Sequence, residues 1–332
     1  MTTDTVNDPY LTDDARGENW HLMLGDSCER LAEVADNSVD MSICSPPFAQ
    51  LYNYSPSPRD LSNSRDRAEF FEHYRFIIRE QLRVTKPGRL ACVHVQQITL
   101  QKVLHGYVGL TDFRGQVIRA FEDEGWIFHG EVTIDKDPQA QAIRTKAQSL
   151  LFVTKDRDSS MLRPALADYV LFFRVPGENA VPVKTDVTHE EWIEWARPIW
   201  PGVSDLDAMD AMENLGLALP RSAWYGIRET NTLNTRVARE DADERHICPL
   251  QLDLVERLVR LWSNPGETVL TPFAGIGTEV YVAVKCGRRG VGVELKASYW
   301  RSAVDNLRAL TAEMAVPTLM DALSDTEEAC LS

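Results

Sequence analysis

Residues 266–294 leave this chain few folds to choose from. They read Gly-Glu-Thr-Val-Leu-Thr-Pro-Phe-Ala-Gly-Ile-Gly-Thr-Glu, then a helical run to Cys286, then Gly-Arg-Arg-Gly-Val-Gly-Val-Glu. A buried-type strand, Thr268 to Leu270, meets a turn carrying Gly275 and Gly277. A helix from Glu279 to Lys285, a second turn and a strand ending in Glu294 follow. That order is a βαβ unit, which demands a parallel sheet with helices on its faces. The glycines let a ligand approach the backbone, and an acid at the end of the second strand can accept from ribose hydroxyls. A dinucleotide site prefers a third glycine where Val280 stands, and no basic residue faces the helix start.

A second stretch punctuates the sheet. Val39-Asp40-Met41-Ser42-Ile43 reads as a strand, and Pro46-Pro47 directly after Cys44-Ser45 fixes φ twice and removes two donors, so the strand stops there. A hydroxyl, unpaired carbonyls and the Phe48 ring are thereby held at the C-terminal edge, where open α/β sheets bind ligands. Ser45 Oγ and the Pro46 carbonyl can accept the two hydrogens of an amine while Phe48 stacks on the flat ring bearing it.

Ser45-Pro46-Pro47-Phe48 resembles the catalytic tetrapeptide of the amino-group DNA methyltransferases, which carry Asp, Asn or Ser, then Pro-Pro, then Tyr or Phe. Pro272-Phe273-Ala274-Gly275-Ile276-Gly277-Thr278 resembles the Asp-Pro-Phe-x-Gly-x-Gly-Thr of the same enzymes, with Thr271 where the family has Asp. The resemblance covers residues 20–154 and 240–309. It implies S-adenosyl-L-methionine as cofactor, held by Asp26, Cys44, His246, Cys248, Thr271, Phe273, Ala274, Gly275, Ile276, Gly277, Thr278 and Glu294. Asp26 has a helix N-cap as its alternative role, and the His246 to Gln251 segment an ordinary helix start.

The implied fold is a Rossmann-like α/β methyltransferase with a mostly parallel seven-stranded sheet, circularly permuted so that the catalytic half comes first. The expected organisation is a flexible acidic arm over 1–19, a catalytic half over 20–154, a target-recognition region over 155–239, a cofactor half over 240–309 and an acidic tail over 310–332. In the resembling enzymes Ser-Pro-Pro is more typical of cytosine-N4 and Asp-Pro-Pro of adenine-N6 chemistry, so the resemblance favours cytosine N4 as the methylated amine, with adenine N6 and a catalytically decayed DNA-binding relative as the alternatives. A base inside a duplex must be flipped out to reach such a pocket. Carbon-5 methylation needs a nucleophilic Cys, but Cys44 precedes the prolines and Cys248 lies in the cofactor segment.

The net charge of −15 is concentrated in 1–19, 178–213 and 310–332, and the remainder is about neutral. Lys136, Arg144, Lys146 and Arg163, with Arg228 and Arg236 of the polar 228–239 tract, are the candidate DNA contacts; a solvated surface is their alternative. Double-stranded DNA is the implied partner, and a homodimer and a cognate restriction endonuclease are left open. Six cysteines without CxxC spacing predict neither disulfides nor a metal site. Without an 18-residue apolar run or a signal-like N-terminus, no membrane and a cytoplasmic location are expected.

Along the chain, 49–68 is read as a lid loop and 69–84 as an amphipathic helix. Residues 89–95 read as a strand, 114–124 as a helix, 126–134 as a strand, and 149–153 with 169–175 as a hairpin.

Overall fold

In the computed structural model, residues 10–47, 59–100, 105–203, 226–234 and 249–316 are described. The strands are β1 (Asp13–Arg16), β2 (Trp20–Leu24), β3 (Val39–Cys44), β4 (Thr85–Gln96), β5 (Ile98–Leu100), β6 (Gly109–Thr111), β7 (Ile127–Ile134), β8 (Asp168–Arg174), β9 (Ile199–Trp200), β10 (Gly202–Val203), β11 (Ile227–Arg228), β12 (Thr268–Thr271) and β13 (Arg289–Glu294). The helices are α1 (Ser27–Arg30), α2 (Arg67–Val84), α3 (Phe113–Asp123), α4 (Pro138–Thr145), α5 (Phe152–Arg157), α6 (His189–Trp195), α7 (Leu252–Trp262), α8 (Thr278–Lys285) and α9 (Ala297–Met314).

One 9-stranded sheet has the order β1-β2-β13-β12-β3-β4-β8-β7-β9. From β2 to β4 every neighbour is parallel. β8 runs antiparallel to both β4 and β7. The βαβ unit moves outward from β12 to β13, whereas β3 and β4 lead outward on the other side, so the crevice between β12 and β3 is the topological switch point. Leu270 pairs with Ser42 there, which brings the ends of the two motif-bearing strands together.

Both faces are covered, so central strands are apolar on alternate sides. On β8, Leu171 and Phe173 join α2 and α3 residues such as Tyr74, Ile77 and Phe121, while Val170 and Phe172 join Leu254, Leu258 and Val282 of α7 and α8. Trp20 and Leu22 pack with Trp300, Val304 and Leu307 of α9. At the opposite end of the sheet from the prolines, Asp40 ties three strands together. It accepts from Lys86 Nζ at 2.6 Å, Arg89 Nη2 at 3.3 Å and the Thr268 amide at 3.0 Å.

Several expectations are corrected. Residues 13–16 of the expected flexible arm form edge strand β1, with Ala15 buried against the Trp20 cluster and Asp14 paired to Arg30 at 2.5 Å. The sheet therefore has nine strands rather than seven, β9 adding to the far edge. The expected hairpin is absent: Phe152–Arg157 is helical, and Asp168–Arg174 pairs with β4 and β7 instead. Strand β8, within the region expected for target recognition, belongs to the main sheet. At the other end, helix α9 continues through Met314, with Leu310 buried, into the expected tail.

Candidate active site

Beyond the last residue of β12, the backbone turns with Gly275 at φ 53° and Gly277 at φ 90°. L side chains rarely adopt this left-handed region. A Cβ at Gly277 would also lie 3.0 Å from Ala303 Cβ, so this glycine serves close packing of the turn on α9. Gly275 has open space around it, and its amide donates to Glu294 Oε2 at 2.7 Å. The other carboxyl oxygen of Glu294 accepts from the Lys296 amide at 2.8 Å. Burial raises this carboxyl to about 7, with the two amides opposing. From the neighbouring strand loop, Ser27 Oγ donates to the Pro272 carbonyl at 2.5 Å, and Asp26 caps α1 by accepting from the Cys28 amide at 2.9 Å.

The double-proline corner faces the same space. A cleft of about 1470 Å³ is lined by Asp26, Ser45, Pro46 and Pro47 together with Phe273, Ala274, Gly275, Ile276, Thr278, Glu279 and Glu294. Small ligands occupy about 300–1,000 Å³, so the cleft has room for a cofactor and a second group.

Ser45 is the end of a polar chain that crosses four segments. Its Oγ lies 3.2 Å from His94 Nδ1. His94 Nε2 stands 3.2 Å from Asp168 Oδ2. Lys136 Nζ contacts the same oxygen at 2.9 Å, and Gln96 Nε2 donates to Asp168 Oδ1 at 2.9 Å. Burial alone would raise the Asp168 carboxyl, but the His94 contact and the Lys136 charge outweigh it and hold it at about 2.

The expected site residues divide accordingly. Asp26, Phe273, Ala274, Gly275, Ile276, Thr278 and Glu294 line the cleft with Ser45, Pro46 and Pro47. Cys44 does not: its side chain is fully buried in the α2 core, 4.0 Å from Gln81 Nε2. Burial, with Glu279 adding, pushes its thiol to about 12, far from a nucleophilic thiolate. Thr271 is fully buried and its Oγ1 has no partner among the described residues, and Gly277 turns toward α9. Phe48, His246, Cys248 and Arg236 lie outside the described residues, as does the Arg144 side chain.

Of the expected DNA contacts, Lys136 is only 6% exposed and is held by Asp168, so it is a buried partner rather than a phosphate ligand. Arg228 is clamped on Asp253 at 2.8 and 2.6 Å. Lys146 is exposed at the left-handed end of α4, and Arg163 lines the cleft, its charge disfavoured by burial. His94, Asp168 and Glu279 were not anticipated. The available signal was positional: Val93 pairs with Cys44, so His94 is a polar residue at the C-terminal end of the strand beside the double proline.

The family described as DNA methylase, of N6/N4 type, matches residues 39–305. Type II methyltransferase M1.MboII of Moraxella bovis is 26% identical over 278 residues, 82% of this chain and 90% of that protein. Type II methyltransferase M.MjaI of Methanocaldococcus jannaschii is 22% identical over 312 residues, 84% of this chain and 88% of that one. Among solved structures, the DNA modification methylase TTHA0409 of Thermus thermophilus, in complex with S-adenosyl-L-methionine, has TM-score 0.59 at 21% identity, covering 86% of this chain and 94% of that chain. The PvuII DNA methyltransferase (cytosine-N4-specific) has TM-score 0.54 at 17% identity, covering 89% and 90%. Those two likenesses establish the fold. The family match is broader in consequence, since it spans both the Ser45 corner and the Gly275 turn: this chain belongs to the N6/N4 DNA methylase family.

Proposed function

We propose that the chain transfers a methyl group from S-adenosyl-L-methionine to the exocyclic amine of a base flipped out of double-stranded DNA, cytosine N4 being favoured. The observation that carries this reading is one cleft lined by both Ser45-Pro46 and the Gly275–Glu294 turn. The residues fit the cofactor. Glu294 retains acceptor capacity for ribose hydroxyls, and buried Thr278 Oγ1, without a partner among the described residues, faces the cleft as an orphan for a polar ligand group. When bound, the cofactor supplies an electrophilic methyl.

An exocyclic amine conjugated to its ring is a poor nucleophile. Hydrogen bonds from it to Ser45 Oγ and the Pro46 carbonyl localise its lone pair and aim it. The Asp168 carboxylate beside Nε2 favours the proton on that nitrogen, which leaves Nδ1 to accept from Ser45. As the amine gives a proton to Ser45 Oγ, the hydroxyl passes its own to His94 Nδ1, and Asp168 stabilises the resulting imidazolium. Lys136 keeps that carboxylate ionised.

Part of the cleft lining supports a nucleic-acid surface. Val153, Arg157, Met161 and Arg163 line the cleft, and Phe152 is exposed beside them. Cations for phosphates and apolar side chains against bases are what an opened duplex requires. Lys146→Glu is expected to weaken binding on every DNA sequence and to reduce the slope of log affinity against log salt by about one. Salt titrations of DNA binding at fixed pH check it.

Methylated plasmid digested to nucleosides and weighed by mass spectrometry tests the function. N4-methylcytosine is the expected product. N6-methyladenine as sole product overturns the base assignment, and no methylated nucleoside overturns the activity.

A further inference from the structure

Glu279, the second residue of α8, is a buried acid for which the chemistry above has no use. It is 5% exposed and lines the cleft. Among the described residues no side chain hydrogen-bonds or ion-pairs with it. Burial raises its carboxyl to about 8, its own backbone amide opposing and Glu294 adding to the rise. Burial thus keeps this carboxyl from ionising, and a cation entering the cleft would stabilise its anion.

Its surroundings say which cation. Its charge is felt by Cys44 on one side and by Glu294 on the other. The carboxyl enters the cleft from the first turn of α8, directly after the Gly275–Gly277 turn and Thr278, in the same lining as Glu294 and Ser45. The end of β12 itself offers no charge, because it carries Thr271, whose hydroxyl is buried without a partner among the described residues. The proposed methyl donor carries a cationic α-ammonium on its amino-acid arm, a group that such a carboxyl can seat.

We infer that Glu279 is the anionic seat for the α-ammonium of the methyl donor, supplying from the helix the charge that Thr271 lacks on the strand. The inference rests on the cofactor proposed above. S-adenosylhomocysteine keeps the ammonium but has no sulfonium charge, and 5′-methylthioadenosine keeps the nucleoside and sulfur but lacks the amino-acid arm. Comparing the two isolates the amino-acid arm from both the sulfonium and the ribose, and the loss of an acid at Glu279 bears on the ammonium of that arm.

The test is calorimetric titration of the full chain with both compounds. Glu279→Gln is expected to weaken S-adenosylhomocysteine about tenfold or more, the scale of a charged hydrogen bond, and to leave 5′-methylthioadenosine unchanged. Glu294→Gln is expected to weaken both. Thr271→Asp added to Glu279→Gln is expected to recover part of the lost affinity. Unchanged S-adenosylhomocysteine binding by Glu279→Gln overturns the inference, and so does an equal loss for the two compounds, which would reveal a merely structural role. If Glu279→Gln does not fold, Glu279→Asp, which shortens the reach, is held to the same comparison. Wild-type protein that binds neither compound removes the proposed cofactor, and the inference with it.

Discussion

His94→Ala is expected to slow methyl transfer by about 10²–10⁴-fold, the usual worth of a positioned general base, with cofactor affinity unchanged. The loss belongs in kcat because His94 touches the transfer corner only through Ser45 Oγ, at 3.2 Å, and does not meet Glu294 or the Gly275 turn. His94→Asn separates the two ways the ring could matter. An asparagine can hold the serine hydroxyl but cannot carry its proton, so single-turnover rates as slow as those of His94→Ala are expected. A near-normal rate for His94→Asn would show that the ring only positions Ser45.

Asp168→Ala is expected to destabilise the fold by about 3–5 kcal/mol, the cost of leaving a buried charge without its partner. The charge is Lys136, 6% exposed, whose other carboxylate, Glu229, is 4.0 Å away. Denaturant unfolding should show a lower midpoint with an unchanged slope. The pH dependence has a definite sign. Asp168 is held at about 2, below its ordinary 3.8, so its contribution is full above about pH 4 and is lost as pH falls through about 2. Wild type and variant should converge across that window. Glu294 and Glu279 act oppositely: raised to about 7 and about 8 from 4.5, they favour the fold fully below about pH 4.5, and that advantage is lost as pH rises through 7 to 8. Ligand-free protein should therefore melt at a higher temperature at pH 5 than at pH 8.5.

What could be read in the sequence was local. The double proline ends β3 wherever the chain folds, and the Gly275–Gly277 turn needs positive φ whatever surrounds it, so both corners were visible without coordinates. Helices α2, α3 and α7 were visible because their apolar residues recur at helical spacing. The chain from Ser45 through His94 and Asp168 to Lys136 was not, since its members sit on four segments that meet only when β4, β7 and β8 close. Lys136 was misplaced for a related reason: a lysine in a polar stretch looks like surface until a buried carboxylate from elsewhere claims it. Strand β1 was missed because an edge strand needs only one buried side chain, Ala15, and can otherwise be as polar as a loop.

The sheet order also governs how the chain can be made. Strands β2 and β3 are close in sequence, yet β13 and β12 stand between them in the sheet. During synthesis from the N-terminus, the flank of β3 that will pair with Leu270 stays bare until residues beyond 268 emerge. A nascent chain thus carries the open edge of a buried strand, Val39–Cys44, through most of its translation, with long-range closure as the last step. Truncation anywhere between β11 and β12 should give a product that sticks to its own copies, and the double-proline corner and the glycine turn can meet only in a chain whose strands β12 and β13 have wedged themselves into the middle of what was already there.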